Sequence, residues 1–303
     1  MATELPPPVE TEKPNIIYVM GAGRSGSTIF GVALGNCTNV FDAGELEAWL
    51  RRSAIPNFGG EERAQFWSDV RAAVGGDDLF GEEARLCLEH STSLFRVDRW
   101  RSRRRLRARY RKIAQDLYQA VTRASEATHI VDTSHYPLRV RELQSLSGIN
   151  LYVVYLVRDP RSVVKSFARR DVAQHRMPPL ATNAYLWLTH VLSVLVFLRQ
   201  RRDRRLLVRY EDFITCPEAI ISQVLRFANA SPTIPDLTAL TTGLAFQGNR
   251  ILQSATIALH GEEHSATPRA NHWGLTRLLQ LPWQSLLPLL SPKATIPPES
   301  ARS

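Results

Sequence analysis

The 303-residue sequence contains little cysteine and no apolar run of the roughly 20 residues that a membrane span needs. Its three cysteines, Cys37, Cys87 and Cys216, have no paired spacing, which excludes a disulfide framework and a zinc site and predicts a reducing, cytoplasmic location. The longest apolar stretch, residues 184–198, includes polar positions, so we predict a buried helix. Residues 1–14 lack the basic and apolar regions of a secretion signal, and we expect a disordered lead-in.

Acidic residues are absent from residues 99–112, RWRSRRRLRARYRK, which hold nine of the 38 Lys and Arg residues. The other 29 basic residues equal the 29 acidic ones, so the net charge of +9 belongs to this segment. An apolar stripe and a solvated arginine face are predicted from the helical spacing of Leu106, Tyr110, Ile113, Leu117 and Val121. The alternative is that the arginines attract an anionic substrate or make peripheral contact with an anionic membrane. No nucleic-acid-reading motif accompanies the charge, so specific nucleic-acid binding is not expected.

Strands and helices alternate along the chain, which predicts an α/β fold with a doubly wound parallel sheet flanked by helices. The predicted strands are residues 15–20, 128–133, 149–157 and 205–210. The predicted helices are residues 27–36, 44–53, 62–74, 81–90, 98–126, 160–175, 180–202 and 217–229. We expect one domain over residues 15–290, with a helical insert at about 50–127 and a flexible tail at 291–303.

A glycine-rich loop, GAGRSGST at residues 21–28, follows the first predicted strand. Its backbone N–H groups and the helix N-terminus behind it suit a phosphate-like anion. Arg24 adds a forked cation, and Ser25, Ser27 and Thr28 add hydroxyl donors. Ser27 stands where a nucleotide-hydrolysing P-loop has lysine, and no clear Walker B carboxylate follows. Hydrolysis of ATP or GTP is therefore disfavoured.

A second polar cluster, RDPRSVVKS at residues 158–166, closes the third predicted strand. Asp159 is a suitable helix N-cap, and Pro160 suits the first helical position. Ser166 lies two turns into the helix and can converge with Arg158 on a second anion. Together with DTSH at residues 132–135, these clusters fall at carboxyl strand ends, where open α/β sheets bind ligands.

In these two motifs the chain resembles the sulfotransferase family that uses 3′-phosphoadenosine 5′-phosphosulfate, in its bacterial and membrane-type subgroup. Residues 21–28 are similar to the family's R-S-G-[ST]-[ST] phosphosulfate loop, and residues 158–166 match its R-x7-S motif for the 3′-phosphate. Weaker similarities to family elements occur at residues 42–49, 131–137, 208–228 and 248–250.

The resemblance implies that this nucleotide is the co-substrate, that no metal is needed, and that a sulfuryl group moves in line to the hydroxyl of a small-molecule, lipid or glycan acceptor. The residues implied for the 5′-phosphosulfate are Arg24, Ser25, Gly26, Ser27 and Thr28. Arg158 and Ser166, with help from Arg170, would hold the 3′-phosphate, and Tyr210 would lie near the adenosine.

Glu45 falls where relatives place a catalytic carboxylate, and it is our candidate base, while Arg24 would neutralise charge on the leaving phosphate. His135 stands where many relatives carry lysine, as an acceptor contact, a proton relay or a plain loop residue. Structural alternatives remain, because Glu45 could be a first-turn helix acid and Tyr210 could be a core residue. Asp132 and Ser134 could cap the following helix. A P-loop kinase with a degenerate loop, or a non-catalytic anion- or membrane-binding protein, is the functional alternative.

Overall fold

A five-stranded parallel sheet forms the centre of the protein, with strand order β2-β3-β1-β4-β5. The computed structural model describes residues 13–51, 56, 59–74, 97–168 and 177–259. The strands of this sheet are β1 (Asn15–Gly21), β2 (Val40–Gly44), β3 (His129–His135), β4 (Asn150–Val157) and β5 (Arg205–Arg209). A separate antiparallel pair consists of β6 (Leu240–Thr241) and β7 (Thr256–Ile257).

Helices cover both faces of the parallel sheet, which confirms the predicted fold class. The helices are α1 (Ser27–Gly35), α2 (Glu47–Arg51), α3 (Glu61–Val74), α4 (Trp100–Ser125), α5 (Pro137–Leu143), α6 (Pro160–Ala168), α7 (Pro179–Arg199), α8 (Tyr210–Thr215) and α9 (Pro217–Phe227). Apolar side chains of α3, α4, α5 and α7 form the core on one face of the sheet. Those of α1, α8 and α9 form the core on the other.

The central strand β1 is buried on both faces and pairs in parallel with β3 and β4. Tyr18 and Met20 point into one core, and Ile17 and Val19 point into the other, as the two-residue period of a strand requires. Because neighbouring strands run the same way, their carboxyl ends meet at one sheet edge. The loops after β1, β3 and β4 therefore lie together, as the sequence predicted.

Strand β2 was not predicted, and the predicted helix at residues 44–53 is only the short α2. The strand has five residues, VFDAG, with a buried aspartate and no alternating pattern, so pairing with β3 decides its structure. The predicted lead-in, the helix at 81–90 and the tail at 291–303 lie wholly or mostly outside the described residues. The domain boundaries stay a prediction.

A buried ion pair joins β3 to α5. The guanidinium of Arg139 donates to Asp132 Oδ2 at 3.2 and 3.3 Å, and both side chains are fully buried. The hydroxyl of Tyr118 donates to the same carboxylate at 2.6 Å, and Arg139 donates to the Tyr110 hydroxyl at 2.7 Å. Two tyrosines of α4 therefore complete the polar contacts of the pair, which a buried charge requires.

The arginine-rich segment forms the N-terminal half of α4, and its predicted apolar stripe is present, with Tyr110, Leu117 and Val121 buried. Some of its arginines are structural. Arg107 and Arg111 approach the buried Glu142 of α5 at 3.1 and 2.9 Å. The exposed arginines of this half are Arg101, Arg104, Arg105 and Arg109.

The apolar stretch 184–198 lies in α7, which is buried against the core on one face and exposed on the other. Within the described ranges, α7 is the one helix long and apolar enough to cross a bilayer, and half of its apolar window is buried inside the protein. Leu186, Val194 and Phe197 pack against neighbouring helices or the sheet. The predicted buried helix is thus confirmed for one of its faces.

Replacing Arg139 by Met should lower the free energy of unfolding by about 3–5 kcal/mol, because Asp132 would keep a buried, unpaired charge. Urea denaturation measures the change. The matched control is Arg141→Met on the same helix, because Glu142 would keep Arg107 and Arg111; the expected loss is below about 1 kcal/mol. Equal losses of stability in the two variants would show that the Asp132–Arg139 pair contributes no more to the free energy of unfolding than the Arg141–Glu142 pair.

Candidate active site

The loop between β1 and α1 has the backbone conformation of an anion cradle. Arg24 and Gly26 adopt positive φ angles of 66° and 92°, which turn the chain sharply into α1. Gly26 is the N-cap of α1, and no side chain caps that terminus. The first turn of α1 also carries no acidic residue. The positive end of the helix dipole is therefore not neutralised by its own side chains.

Ser25 places a buried hydroxyl inside this loop. Its side chain is 2% exposed, and within the described residues its Oγ has no hydrogen-bond partner. A buried hydroxyl without a partner is costly, and an oxygen of a ligand or of a water molecule would complete its bonding. This position fits a phosphate or phosphosulfate oxygen.

Gly23 is the point where the loop meets α6, α7 and β3. Its N–H donates to the Tyr185 hydroxyl at 2.9 Å. A Cβ atom at Gly23 would lie 3.3 Å from that hydroxyl oxygen, 3.5 Å from Phe167 Cζ and 4.0 Å from His135 Nε2. The Arg24 guanidinium carbon lies 5.8 Å from the centre of the Phe167 ring. The sequence motifs gave no signal for Tyr185 or Phe167, which lie in helices among other apolar residues.

Arg158 and Tyr210 reach the loop from β4 and α8. Arg158 donates to the carbonyl oxygen of Arg24 at 3.3 Å, and its guanidinium carbon lies 4.3 Å from the centre of the Tyr210 ring. Tyr210 contacts the loop so closely that a Cβ atom at Gly26 would lie 2.1 Å from its ring. The structure therefore brings the two predicted motifs together, and Tyr210 adjoins both.

Ser166 lies half-buried on α6, which begins at Pro160 behind the Asp159 cap as predicted. The Asp159 carboxylate accepts from the Arg161 N–H at 3.0 Å. In the described part of the chain, no hydrogen bond joins Ser166 to Arg158. Arg170 lies outside the described residues.

Glu45 lies in the loop between β2 and α2, two residues before the helix begins, so it is not a first-turn helix acid. Its N–H donates to the carbonyl oxygen of Gln247 at 2.7 Å. Burial raises the pKa of Tyr185 above its usual value, and the charge of Glu45 adds to that rise. Glu45 is therefore within electrostatic reach of the tyrosine that contacts Gly23.

His135 ends β3 beside the loop, with a positive φ of 57°. Burial lowers the pKa of its imidazole below 6.5, while the charge of Glu47 acts in the opposite direction. The ring is therefore neutral at neutral pH and can accept or pass on a proton.

Asp132 and Ser134 hold the β2–α2 region and do not cap α5. The Ser134 N–H donates to Asp132 Oδ1 at 2.9 Å, and the Ser134 hydroxyl makes a short bond to the same oxygen. Ser134 Oγ in turn accepts from the Glu47 N–H at 2.9 Å. Nearby, burial raises the pKa of Asp42 to about 7, and the charges of Asp132 and Glu45 add to it.

Residues 248–250, the GNR element, pack against the end of the loop. The Asn249 N–H donates to Thr28 Oγ1 at 3.3 Å, and Gly248 lies against the same threonine. Thr28 is thus tied to the C-terminal region of the described chain. Across the described ranges, no group of three or more His, Cys, Asp or Glu side chains could hold a metal ion.

Comparison with known proteins gives the family of this chain and solved structures of similar fold. Residues 14–233 match the model of the Sulfotransferase family, so the chain belongs to the sulfotransferase family. Its fold is similar to a sulfotransferase domain from the curacin biosynthetic pathway, with 17% identity, a TM-score of 0.52, and coverage of 89% of this chain and 98% of that one. It is also similar to a sulfotransferase domain from the Synechococcus PCC 7002 olefin synthase, with 20% identity, a TM-score of 0.53, and coverage of 91% and 96%. A search of curated proteins finds no match.

Substituting Gly26 by Ala should disrupt this loop more than the positive φ alone predicts. A non-glycine residue in the left-handed region costs about 1–2 kcal/mol, and the new Cβ would also overlap the Tyr210 ring. Gly243→Ala is the matched control, because Gly243 has a φ of +57° and open space around its Cβ position. We expect a larger drop in melting temperature for Gly26→Ala. Equal drops would contradict the close packing of Tyr210 on the loop.

Proposed function

We propose that the protein transfers the sulfuryl group of 3′-phosphoadenosine 5′-phosphosulfate to the hydroxyl of an acceptor. The observation that carries this proposal is the meeting of two anion-binding elements. Arg158 donates to the backbone of the glycine-rich loop and stacks on Tyr210, which packs on Gly26. A nucleotide with phosphates on both sides of its ribose needs two such elements side by side, whereas ATP, whose phosphates form a single chain, needs only one.

The residues present fit the donor. The hydroxyl of Ser25 and the N-terminus of α1, with Arg24, Ser27 and Thr28, would hold the 5′-phosphosulfate. Arg158 and Ser166, with Arg170, would hold the 3′-phosphate, and Tyr210 would contact the adenosine. When bound, the donor supplies the sulfuryl group and leaves as adenosine 3′,5′-bisphosphate.

Proton transfer from the acceptor is assigned to Glu45. An acceptor hydroxyl is a weak nucleophile until a base takes its proton. Glu45 directly follows β2 at the same sheet edge as the loop, and its charge adds to the raised pKa of Tyr185, whose hydroxyl contacts the loop at Gly23. Arg24 and the loop N–H groups would neutralise the charge that grows on the leaving phosphate. His135, kept neutral by burial, is the second candidate for the base.

The acceptor is a hydroxyl compound of the small-molecule, lipid or glycan class, and the reaction is assigned to the cytoplasm. The kinase alternative is less well supported, because the P-loop lysine that reaches the phosphates of ATP is replaced by Ser27. The non-catalytic alternative is less well supported, because the chain belongs to the sulfotransferase family.

Calorimetry should show metal-independent binding of adenosine 3′,5′-bisphosphate in preference to ATP with Mg²⁺. Arg158→Ala should weaken binding of the bisphosphate by roughly 10–100-fold, the value of charge-assisted hydrogen bonds. It should weaken binding of adenosine 5′-monophosphate far less. Arg161→Ala, an exposed arginine of the same helix region, is the control and should stay within about twofold. Preference for ATP with Mg²⁺ would refute the proposal, and binding of neither nucleotide would favour the non-catalytic alternative.

Glu45→Gln should keep the affinity for the bisphosphate and lose about 10²–10⁴-fold in transfer, because the amide cannot take the acceptor proton. Transfer of labelled sulfate from the donor to acceptors in a cell extract measures the loss. His135→Asn, assayed in parallel, tests the second candidate. If transfer survives in Glu45→Gln and fails in His135→Asn, the base is His135.

A further inference from the structure

An apolar row of side chains lies on the outer face of α7. This row, the α7 stripe, recurs at three- and four-residue spacing and therefore follows one helix face. Its members are Leu180, Ala184, Trp187, Val191, Leu195 and Leu198. Four of its large side chains are exposed: Leu180 by 54%, Trp187 by 43%, Leu195 by 57% and Leu198 by 52%. Single exposed leucines are ordinary, but a continuous row along 21 residues marks an interaction surface.

The opposite face of α7 is buried and carries apolar side chains, such as Leu186 and Phe197, together with polar ones. Thr182, Thr189, His190 and Ser193 are each at most 2% exposed. His190 bonds to the Tyr155 hydroxyl of β4. Because α7 is apolar on its outer face as well as on its buried face, an apolar neighbour is expected on the outside.

The protein holds α7 in this orientation. The Tyr185 hydroxyl accepts from the Gly23 N–H at 2.9 Å, and Gln144 donates to the Val196 carbonyl oxygen at 3.1 Å. Gln200, directly after the helix, donates to the Leu151 carbonyl oxygen of β4 at 3.0 Å. These contacts tie the helix to the domain along its length, which leaves its outer face to meet an apolar phase.

Positive charge adjoins the stripe. Arg199, Arg201 and Arg202 are exposed directly after Leu198, and the sequence has no acidic residue between Asp171 and Asp203. Asp203 pairs with Arg201 at 2.8 Å, so the group keeps an excess of positive charge. On the same side of the sheet, α4 also contributes exposed arginines. An apolar face bordered by arginines complements a surface that is apolar inside and anionic at its headgroups.

We propose that the α7 stripe docks the protein on the surface of a bilayer that contains anionic lipid. Leu195, Leu198 and Trp187 enter the interfacial region, where tryptophan is favoured, and Arg199 and Arg202 reach the lipid phosphates. The helix lies in the plane of the membrane, with its buried face on the domain. This docking does not depend on the proposed function, because none of these side chains belongs to the donor site.

Flotation with vesicles tests the docking. The full chain should float with vesicles of 70% phosphatidylcholine and 30% phosphatidylserine, and much less with phosphatidylcholine alone. Leu195→Gln should lower the partition coefficient about tenfold, the value of one leucine withdrawn from an apolar phase. Ile234→Gln is the matched control, because Ile234 is an exposed apolar residue outside the stripe, and it should change nothing. Arg199→Gln combined with Arg202→Gln should remove the preference for the anionic vesicles.

Tryptophan emission identifies the contacting surface. Anionic vesicles should shift the emission to shorter wavelength, and Trp187→Phe should abolish the shift while flotation persists. Three outcomes overturn the proposal: no flotation of the wild-type chain, a shift that survives Trp187→Phe, or Leu195→Gln and Ile234→Gln behaving alike. A dimer by light scattering that Leu195→Gln converts to a monomer also overturns it, because the stripe would then join two copies. Calorimetry of the bisphosphate on each variant reports donor binding separately.

Discussion

The buried ion pair between Asp132 and Arg139 connects the core of this protein to its candidate active site. Arg139 ties α5 to β3, and tyrosines of α4 complete its contacts. The other oxygen of Asp132 orients Ser134, which accepts from the Glu47 N–H, so the pair also fixes the segment that carries Glu45. Since a buried charge is tolerated only when it is paired and hydrogen-bonded, these contacts depend on one another. The position of the candidate base is thus a consequence of core packing.

Parallel pairing of β1 with β4 fixes the positions of the residues that are proposed to bind the donor. It places Arg158, which directly follows β4, beside the glycine-rich loop that follows β1, and Arg158 then donates to the Arg24 carbonyl oxygen. Tyr210 then packs between them, against Gly26, where a Cβ atom would overlap its ring. Family membership establishes the class of protein, and the junction of these elements supports the assignment of a nucleotide donor with two phosphate positions.

Much of this could be predicted from the sequence, for identifiable reasons. The strands β1 and β4 are apolar and rich in β-branched residues, β3 and β5 each contain a short apolar run, and the glycine-rich loop has fixed chemical requirements. Strand β2 could not be predicted, because its five residues carry no periodic pattern and gain their structure from β3. The positions of Tyr185 and of the Asp132–Arg139 pair depend on packing between distant segments, which spacing along the chain does not encode. The arginines of α4 divide between buried ion pairs and an exposed face, a division that the charge pattern alone could not give.

A crystal structure with adenosine 3′,5′-bisphosphate tests the central claim most directly. The account predicts that the 5′-phosphate contacts the loop at residues 21–28 and accepts from the Ser25 hydroxyl at about 2.7 Å. It also predicts that the 3′-phosphate lies within hydrogen-bond distance of the Arg158 guanidinium. A bisphosphate bound with its 3′-phosphate in solvent, or bound away from the loop, would contradict the account.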